Sequence, residues 1–303
     1  MDSLERVAQP GVSAAEARAS ARAGIAWMVL TTLLFVSQDA VTRVLVQTYP
    51  VVEVAWARFA VHLALAATLL AVRSPRLMVS ARPGLQLVRS ALLLTVTLLA
   101  TTALGILPFV DLAAIVNVTP VLVTLLSIPM LNETVGWRRG VAVLVGFAGA
   151  MLIVGPASGV FQWAVLLPLG SAFAHALYQI VTRMLKSSDP TMTTFFYTSV
   201  VGAVVCSLAL PFVWVTPDLA SAGLMLLLGG LGACSHFCMI RAFTAAPAAT
   251  VAPFGYTTLV WATLFGVLVF GEVPAATTIA GAVVIVGSGI YILYREQIRA
   301  RQG

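Results

Sequence analysis

The chain has 303 residues, of which 60% are hydrophobic and only 9% charged, against about 25% charged in soluble domains. A water-soluble core cannot hide so much apolar side chain, and at roughly 20 residues per membrane crossing the remaining loops are too short for a separate soluble domain. The net charge of +6 does not point to a nucleic-acid partner, because the basic residues are spread through loops between apolar segments instead of gathering on one exposed face.

Residues 1–22 are polar, carry Asp2, Glu5 and Glu16, and run directly into an apolar segment. They read as a cytoplasmic, partly helical tail, since a signal peptide would need a basic start, an apolar run and a small-residue cleavage site. Uncharged runs between breaker clusters then predict ten membrane-spanning helices, over 23–46, 51–72, 85–106, 109–131, 139–155, 160–184, 192–214, 219–241, 248–270 and 275–294. Residues 296–303 form a second tail.

Lys and Arg resist translocation and so mark cytoplasmic loops. Arg6, Arg18, Arg22, Arg73, Arg76, Arg82, Arg89, Arg138, Arg139, Arg183, Lys186, Arg241, Arg295, Arg299 and Arg301 all fall on one side of this arrangement. The connections near 47–50, 105–108, 156–160, 215–218 and 271–274 contain no basic residue. Both termini are therefore expected on the cytoplasmic side of a cell's inner membrane. Arg43 and Arg58 are the two exceptions, and both lie inside predicted helices.

The halves repeat. Val-Thr-Arg with Leu two residues later occurs at 41–45 and at 181–185, and Pro50 and Pro190 stand in step with it. Glu133 matches Glu272 and Gly146 matches Gly287 near the same offset. Five helices is an odd number, so the second half, 160–295, must cross the membrane in the opposite sense to the first, 23–155. Inverted repeats of this kind hold a substrate near the midplane between the halves and expose it to alternate sides.

The stretch Leu107 to Gly155, with Asn117, Pro120, Glu133 and Arg138-Arg139-Gly140, resembles the second part of an EamA domain, and Ala248 to Glu272 resembles the same region of a second copy. The chain after residue 22 is thus similar to the EamA-type branch of the drug/metabolite transporter superfamily. The resemblance implies an all-α integral membrane protein of ten helices in two inverted five-helix repeats around a central cavity. It also implies transport of amino acids, aromatic ones included, or related metabolites, usually outward. Uptake carriers, for example for S-adenosylmethionine, belong to the same superfamily. The expected partners are a small-molecule substrate and the lipid bilayer, with the chain a monomer or homodimer.

An ionisable group inside hydrocarbon is costly and needs a partner or a cavity. Asp39 and Arg58 are predicted at similar depth in the first two spans, where they form a structural salt bridge, or Asp39 takes a proton or a substrate ammonium while Arg58 contacts a substrate carboxylate. Arg43, one turn from Asp39, is an alternative partner. His175, Tyr178 and Gln179 form a polar stripe on the sixth span, and the repeat sets Gln38 opposite Tyr178 and Asp39 opposite Gln179. His236 lies at a depth like that of His175, and His62 reads as a packing residue. Tyr256 and Trp261 share the ninth span away from its ends, so His175, Tyr178, Tyr256 and Trp261 are expected to line one central cavity, where Trp261 can stack on a planar substrate. Asn117 completes the candidates. Pro120 and Pro253 predict bends in the fourth and ninth spans.

Cys206, Cys234 and Cys238 lie in apolar segments without a second metal-ligand pair, and read as packing residues. Lys186 is not preceded by a Gly-rich phosphate loop, so ATP hydrolysis is excluded. No HExxH or Gly-x-Ser-x-Gly motif suggests an intramembrane enzyme, and no cofactor is expected. A channel shares the polar interior, but the repeat favours alternating access.

Overall fold

The structure is a computed structural model that describes residues 14–131, 137–154, 163–185, 188–246 and 251–302. Glu133, Lys186 and the start of the amino-terminal tail lie outside the described residues. Every regular element among the described residues is helical. The α-helices are α1 (Ala14–Leu45), α2 (Val51–Arg73), α3 (Pro83–Leu104), α4 (Phe109–Val116), α5 (Thr119–Leu131) and α6 (Trp137–Val154). They continue with α7 (Leu166–Leu185), α8 (Thr191–Tyr197), α9 (Val200–Ala209), α10 (Leu219–Ala245), α11 (Thr257–Phe270) and α12 (Ala276–Gln302).

Among the described residues six spans are long and apolar enough to cross a membrane: Ala19–Leu45, Val51–Val72, Pro83–Leu104, Phe109–Met130, Thr191–Phe212 and Leu219–Ala245. Gly140–Leu152, Phe254–Phe270 and Ala276–Tyr291 are shorter apolar helices. The outward-facing side chains include Leu144, Phe212, Leu219, Leu268 and Val283, an apolar exterior suited to lipid, and the chain is a multi-pass membrane protein.

Prolines set several helix starts. Pro50, Pro108 and Pro190 stand immediately before α2, α4 and α8 with φ between −56° and −60°, because proline holds that φ and has no N–H to extend a preceding helix. Gly271 closes α11 in the left-handed conformation, φ 66°, which costs a residue without a Cβ little. The fourth predicted span is broken, α4 ending at Val116 and α5 starting at Thr119, so Pro120 sits in the first turn of a new helix. The seventh breaks between α8 and α9, and α11 is preceded by a 3₁₀ turn, Ala252–Tyr256, that contains Pro253. The carboxy-terminal tail continues α12.

Helix contacts fall into matched sets. α1 packs along α10, and α3 packs along α7. α2 meets α10 as α3 meets α9, and α5 meets α7 as α11 meets α1. α2 with α9, α6 with α12, and α4 with α11 complete the set. With the helices grouped as the predicted spans, exchanging the first five for the last five converts each of these contacts into another of them or into itself.

Small residues permit the closest approaches. A Cβ on Gly229 of α10 would lie 2.3 Å from Val61 Cβ, and one on Gly202 of α9 would lie 2.4 Å from the Phe59 ring, so α2 is gripped from both sides. Gly146 of α6 sits against Val121 and Ser288. Gly287 has open space where its Cβ would be, while Gly289 lies against the Tyr256 ring.

The connections gather at two ends. At one, Asp189 accepts hydrogen bonds from Ser80 Oγ (2.5 Å), Ala81 N (2.8 Å) and Gln86 Nε2 (2.8 Å), and Ser20 Oγ donates to the Ala245 carbonyl. Burial opposes the Asp189 charge, yet these hydrogen bonds and the Arg82 guanidinium hold its carboxyl below the ordinary value. At the other end, Val215 N donates to Glu53 (3.0 Å) and Asp218 N to Tyr49 Oη (3.4 Å), while the Trp56 and Trp214 rings meet edge to face at 6.0 Å. This segregation matches the basic and non-basic loop sets of the sequence.

Candidate functional site

Three helices bring polar side chains together in the middle of the bundle. On α1, Gln38 is 1% exposed and Asp39 follows it. On α2, Arg58 and His62 are one turn apart, so both project from the face that meets α10. Gly232 of α10 opens the seam: a Cβ there would lie 3.0 Å from Gln38 Oε1 and 4.0 Å from Arg58 Cγ. His236 is one turn further along α10, its ring 5.3 Å from that of Phe35 and 5.5 Å from that of His62. His62 also lies 4.7 Å from the Phe195 ring.

Asp39 and Arg58 sit deep among the helices and attract one another, but no direct ion pair joins them among the described residues. Both keep accessible surface at that depth, so the bundle leaves space around them. His62, His175 and His236 are within electrostatic reach of Arg58. The cluster thus presents one carboxylate and one guanidinium with unused hydrogen-bonding capacity, ringed by imidazoles.

Tyr178 is placed differently from the expectation. Arg89 of α3, counted with the cytoplasmic loop residues from sequence, is 4% exposed and lies 4.4 Å over the Tyr178 ring. Its guanidinium donates to Tyr178 Oη, Thr182 Oγ1 at 2.7 Å, the Thr194 carbonyl at 3.1 Å and Thr198 Oγ1 at 3.1 Å. Four hydrogen bonds from one planar group thus join α3, α7 and α8, and Tyr178 is fixed as part of that junction. Thr182 on one segment and Thr198 on the next, two hydroxyls within apolar runs, were the available signal. His175 stays partly accessible, with its ring 5.8 Å from Tyr178, and Gln179 is partly accessible on the same helix.

The remaining candidates lie apart. Tyr256 packs against Gly289 of α12, its hydroxyl buried without a partner, so it does not share the α1–α2–α10 cluster. Trp261 of α11 donates from Nε1 to Thr32 Oγ1 at 3.2 Å and joins an apolar cluster with Val36, Leu104 and Phe109. Asn117 donates to the Ala113 carbonyl at 2.7 Å, which occupies it at the α4–α5 break.

Arg43 does not pair with Asp39. It forms a salt bridge with Glu272 and donates to the carbonyls of Leu104 (3.1 Å) and Leu107 (2.5 Å). Glu272 also accepts from Phe109 N at 2.6 Å, capping α4, so the pair ties α1, α3, α4 and the α11–α12 connection at one end of the bundle. Asp39 lies a full turn nearer the middle.

The EamA-like transporter family model matches residues 22–155 and again 162–295. The chain belongs to the EamA-like transporter family. Among its relatives, the S-adenosylmethionine uptake transporter of Rickettsia bellii is 27% identical over 90% of this chain and 94% of its own length. The riboflavin transporter of Vibrio cholerae is 35% identical over 62% of this chain and 64% of its own length. The pseudopaline exporter CntI of Pseudomonas aeruginosa is 29% identical over 88% and 94%. A solved crystal structure shares the fold with a TM-score of 0.62 at 16% identity, covering 91% of this chain and 97% of that one. The family and these transporter-named relatives mark the chain as a transporter.

Proposed function

We propose that this EamA-family protein is a secondary carrier for a small zwitterionic metabolite, an amino acid or a molecule containing one. Ten spans form two inverted five-helix repeats, 23–155 and 160–295, with both termini on the cytoplasmic side of the inner membrane. The observation that carries this reading is the Asp39–Arg58 arrangement: opposite charges from two helices, deep in the bundle, with accessible surface and no ion pair closed between them. A guanidinium grips a carboxylate bidentately, and Asp39 offers the complementary site for an ammonium or sulfonium. The matched helix contacts support the inverted repeat, and such repeats place the substrate between the halves.

Relatives named for uptake and for export both align with the chain. A carrier without its own energy source runs down its substrate gradient, so an amino acid accumulated by the cell leaves through it. An aromatic preference rests on Trp261 alone, because Tyr256 packs elsewhere. Counterflow into proteoliposomes with labelled amino acids, S-adenosylmethionine and neutral solutes, at two pH values, tests the reading. Saturable exchange of a zwitterion and not of the neutral solutes is expected. Exchange of neutral solutes alone, or passive leakage of every solute, overturns it.

A further inference from the structure

The charged pair accounts for the ends of a zwitterion but leaves Gln38 unexplained. Its Nε2 and Oε1 are both buried and neither has a hydrogen-bond partner, although buried amides are nearly always satisfied. Both atoms belong to one plane, a donor beside an acceptor. A carboxylate would use only the donor and an ammonium only the acceptor. The group that satisfies both at once presents an acceptor and a donor side by side, as the amide or amidine edge of a planar nitrogen heterocycle does. Gln makes this bidentate contact with the N6/N7 edge of adenine in nucleic acids.

The surroundings suit such a ring. Gly232 supplies no side chain over the amide, and a Cβ there would crowd Gln38 Oε1 at 3.0 Å. Phe35 precedes Gln38 by one turn of α1 and holds the His236 imidazole edge-on at 5.3 Å. His62, 3% exposed, has an Nε2 without a partner and lies 5.5 Å from His236. Three elements thus direct flat groups and unused polar atoms at the seam where Asp39 and Arg58 also lie.

We infer that Gln38, flanked by His62 and His236 and roofed by Gly232, is a specificity subsite that reads the donor–acceptor edge of a planar nitrogen heterocycle. This subsite rests on the proposed carrier function and narrows its substrates to metabolites joining such a ring to a charged or zwitterionic group. Simple α-amino acids lack the edge and leave Gln38 unsatisfied.

The test compares wild type with Gln38→Met, which keeps length and removes both polar atoms, and with Gly232→Ala, which crowds Oε1. Melting temperature in detergent and binding are measured for adenosine, riboflavin, uridine, S-adenosylmethionine, methionine and phenylalanine. The expected result is that S-adenosylmethionine, which joins such a ring to a zwitterion, binds wild type tenfold or more tightly than either amino acid and than the uncharged heterocycles. That advantage falls at least tenfold in Gln38→Met and in Gly232→Ala, while the ligand-free melting temperature of Gln38→Met is equal or higher. A Gln38 held for structure would instead lower the melting temperature and leave the preference intact. That result overturns the subsite, as does tighter binding of the amino acids. Saturable counterflow of methionine and phenylalanine by wild type with no exchange of any heterocyclic probe removes this inference alone, whereas wild-type vesicles that exchange none of the probes remove the carrier function as well.

Discussion

Removing the Glu272 charge tests whether one polar junction holds an end of the bundle. Glu272 and Arg43 are 22% and 19% exposed, so solvent screens their pairing only in part. In Glu272→Gln the shape is kept, but one carboxamide position becomes a donor facing either Arg43 or Phe109 N, which are both donors. One charge-assisted hydrogen bond is lost and the other weakened. At about 1.5–3 kcal/mol for a hydrogen bond to a charged group, a loss of about 2–3 kcal/mol is expected, or roughly 4–9 °C in melting temperature at about 2–3 °C per kcal/mol. Arg43→Met removes the same pairing from the other side and also abandons the Leu104 and Leu107 carbonyls, so it should cost slightly more. Thermal melting of the detergent-solubilised single and double variants forms a cycle. A coupling of about 1–3 kcal/mol is expected, and additivity within about 0.5 kcal/mol would refute the junction.

Gly229→Ala should destabilise by about 1–3 kcal/mol, because the new methyl meets Val61 Cβ at 2.3 Å and the Ala57 carbonyl at 3.0 Å; fluorescence-detected size exclusion after heating measures it, and an unchanged midpoint would show that α2 and α10 are free to separate. Asp189 has a folded-state carboxyl held below the ordinary value, so its stabilisation is full above about pH 4, the unfolded value, and is lost as the pH falls below that. Asp189→Asn should lower the melting temperature at pH 7 and flatten its decline below pH 4, and a variant as pH-sensitive as wild type contradicts this. Tyr256→Phe should leave stability equal or raise it by about 1 kcal/mol, since the hydroxyl is buried without a partner; a clear fall in melting temperature would reveal an interaction of that hydroxyl.

Hydropathy was enough for the helical architecture, because twenty apolar residues between breakers admit few other solutions in lipid. The proline positions marked helix starts at Pro50, Pro108 and Pro190. The interruptions were less legible: Thr198 and Ser199 carry no breaker, and the α8–α9 break follows from packing around Arg89 and Ser90, whose Oγ accepts from Val201 N at 3.0 Å. The candidate site divides in the same way. The depths of Asp39 and Arg58 could be counted along their helices, so their proximity was readable. Which face each helix turns inward could not be counted, so Tyr256 was expected beside His175 and is found against Gly289. His62 read as packing because a lone histidine carries no spacing signal, and its neighbour His236 is 174 positions away in the sequence. Arg43 looked like a partner for Asp39 by i,i+4 spacing, but its guanidinium reaches the opposite way, toward the carbonyls that end α3.

The central claim is that the Asp39–Arg58 pair holds the transported molecule, and the most direct measurement is substrate exchange by wild type, Asp39→Asn and Arg58→Gln in matched proteoliposomes. Melting curves on the same preparations show that each variant is folded. Saturable counterflow by wild type that falls at least tenfold in both variants is the predicted result. Wild-type exchange that persists undiminished in folded Arg58→Gln would contradict the claim.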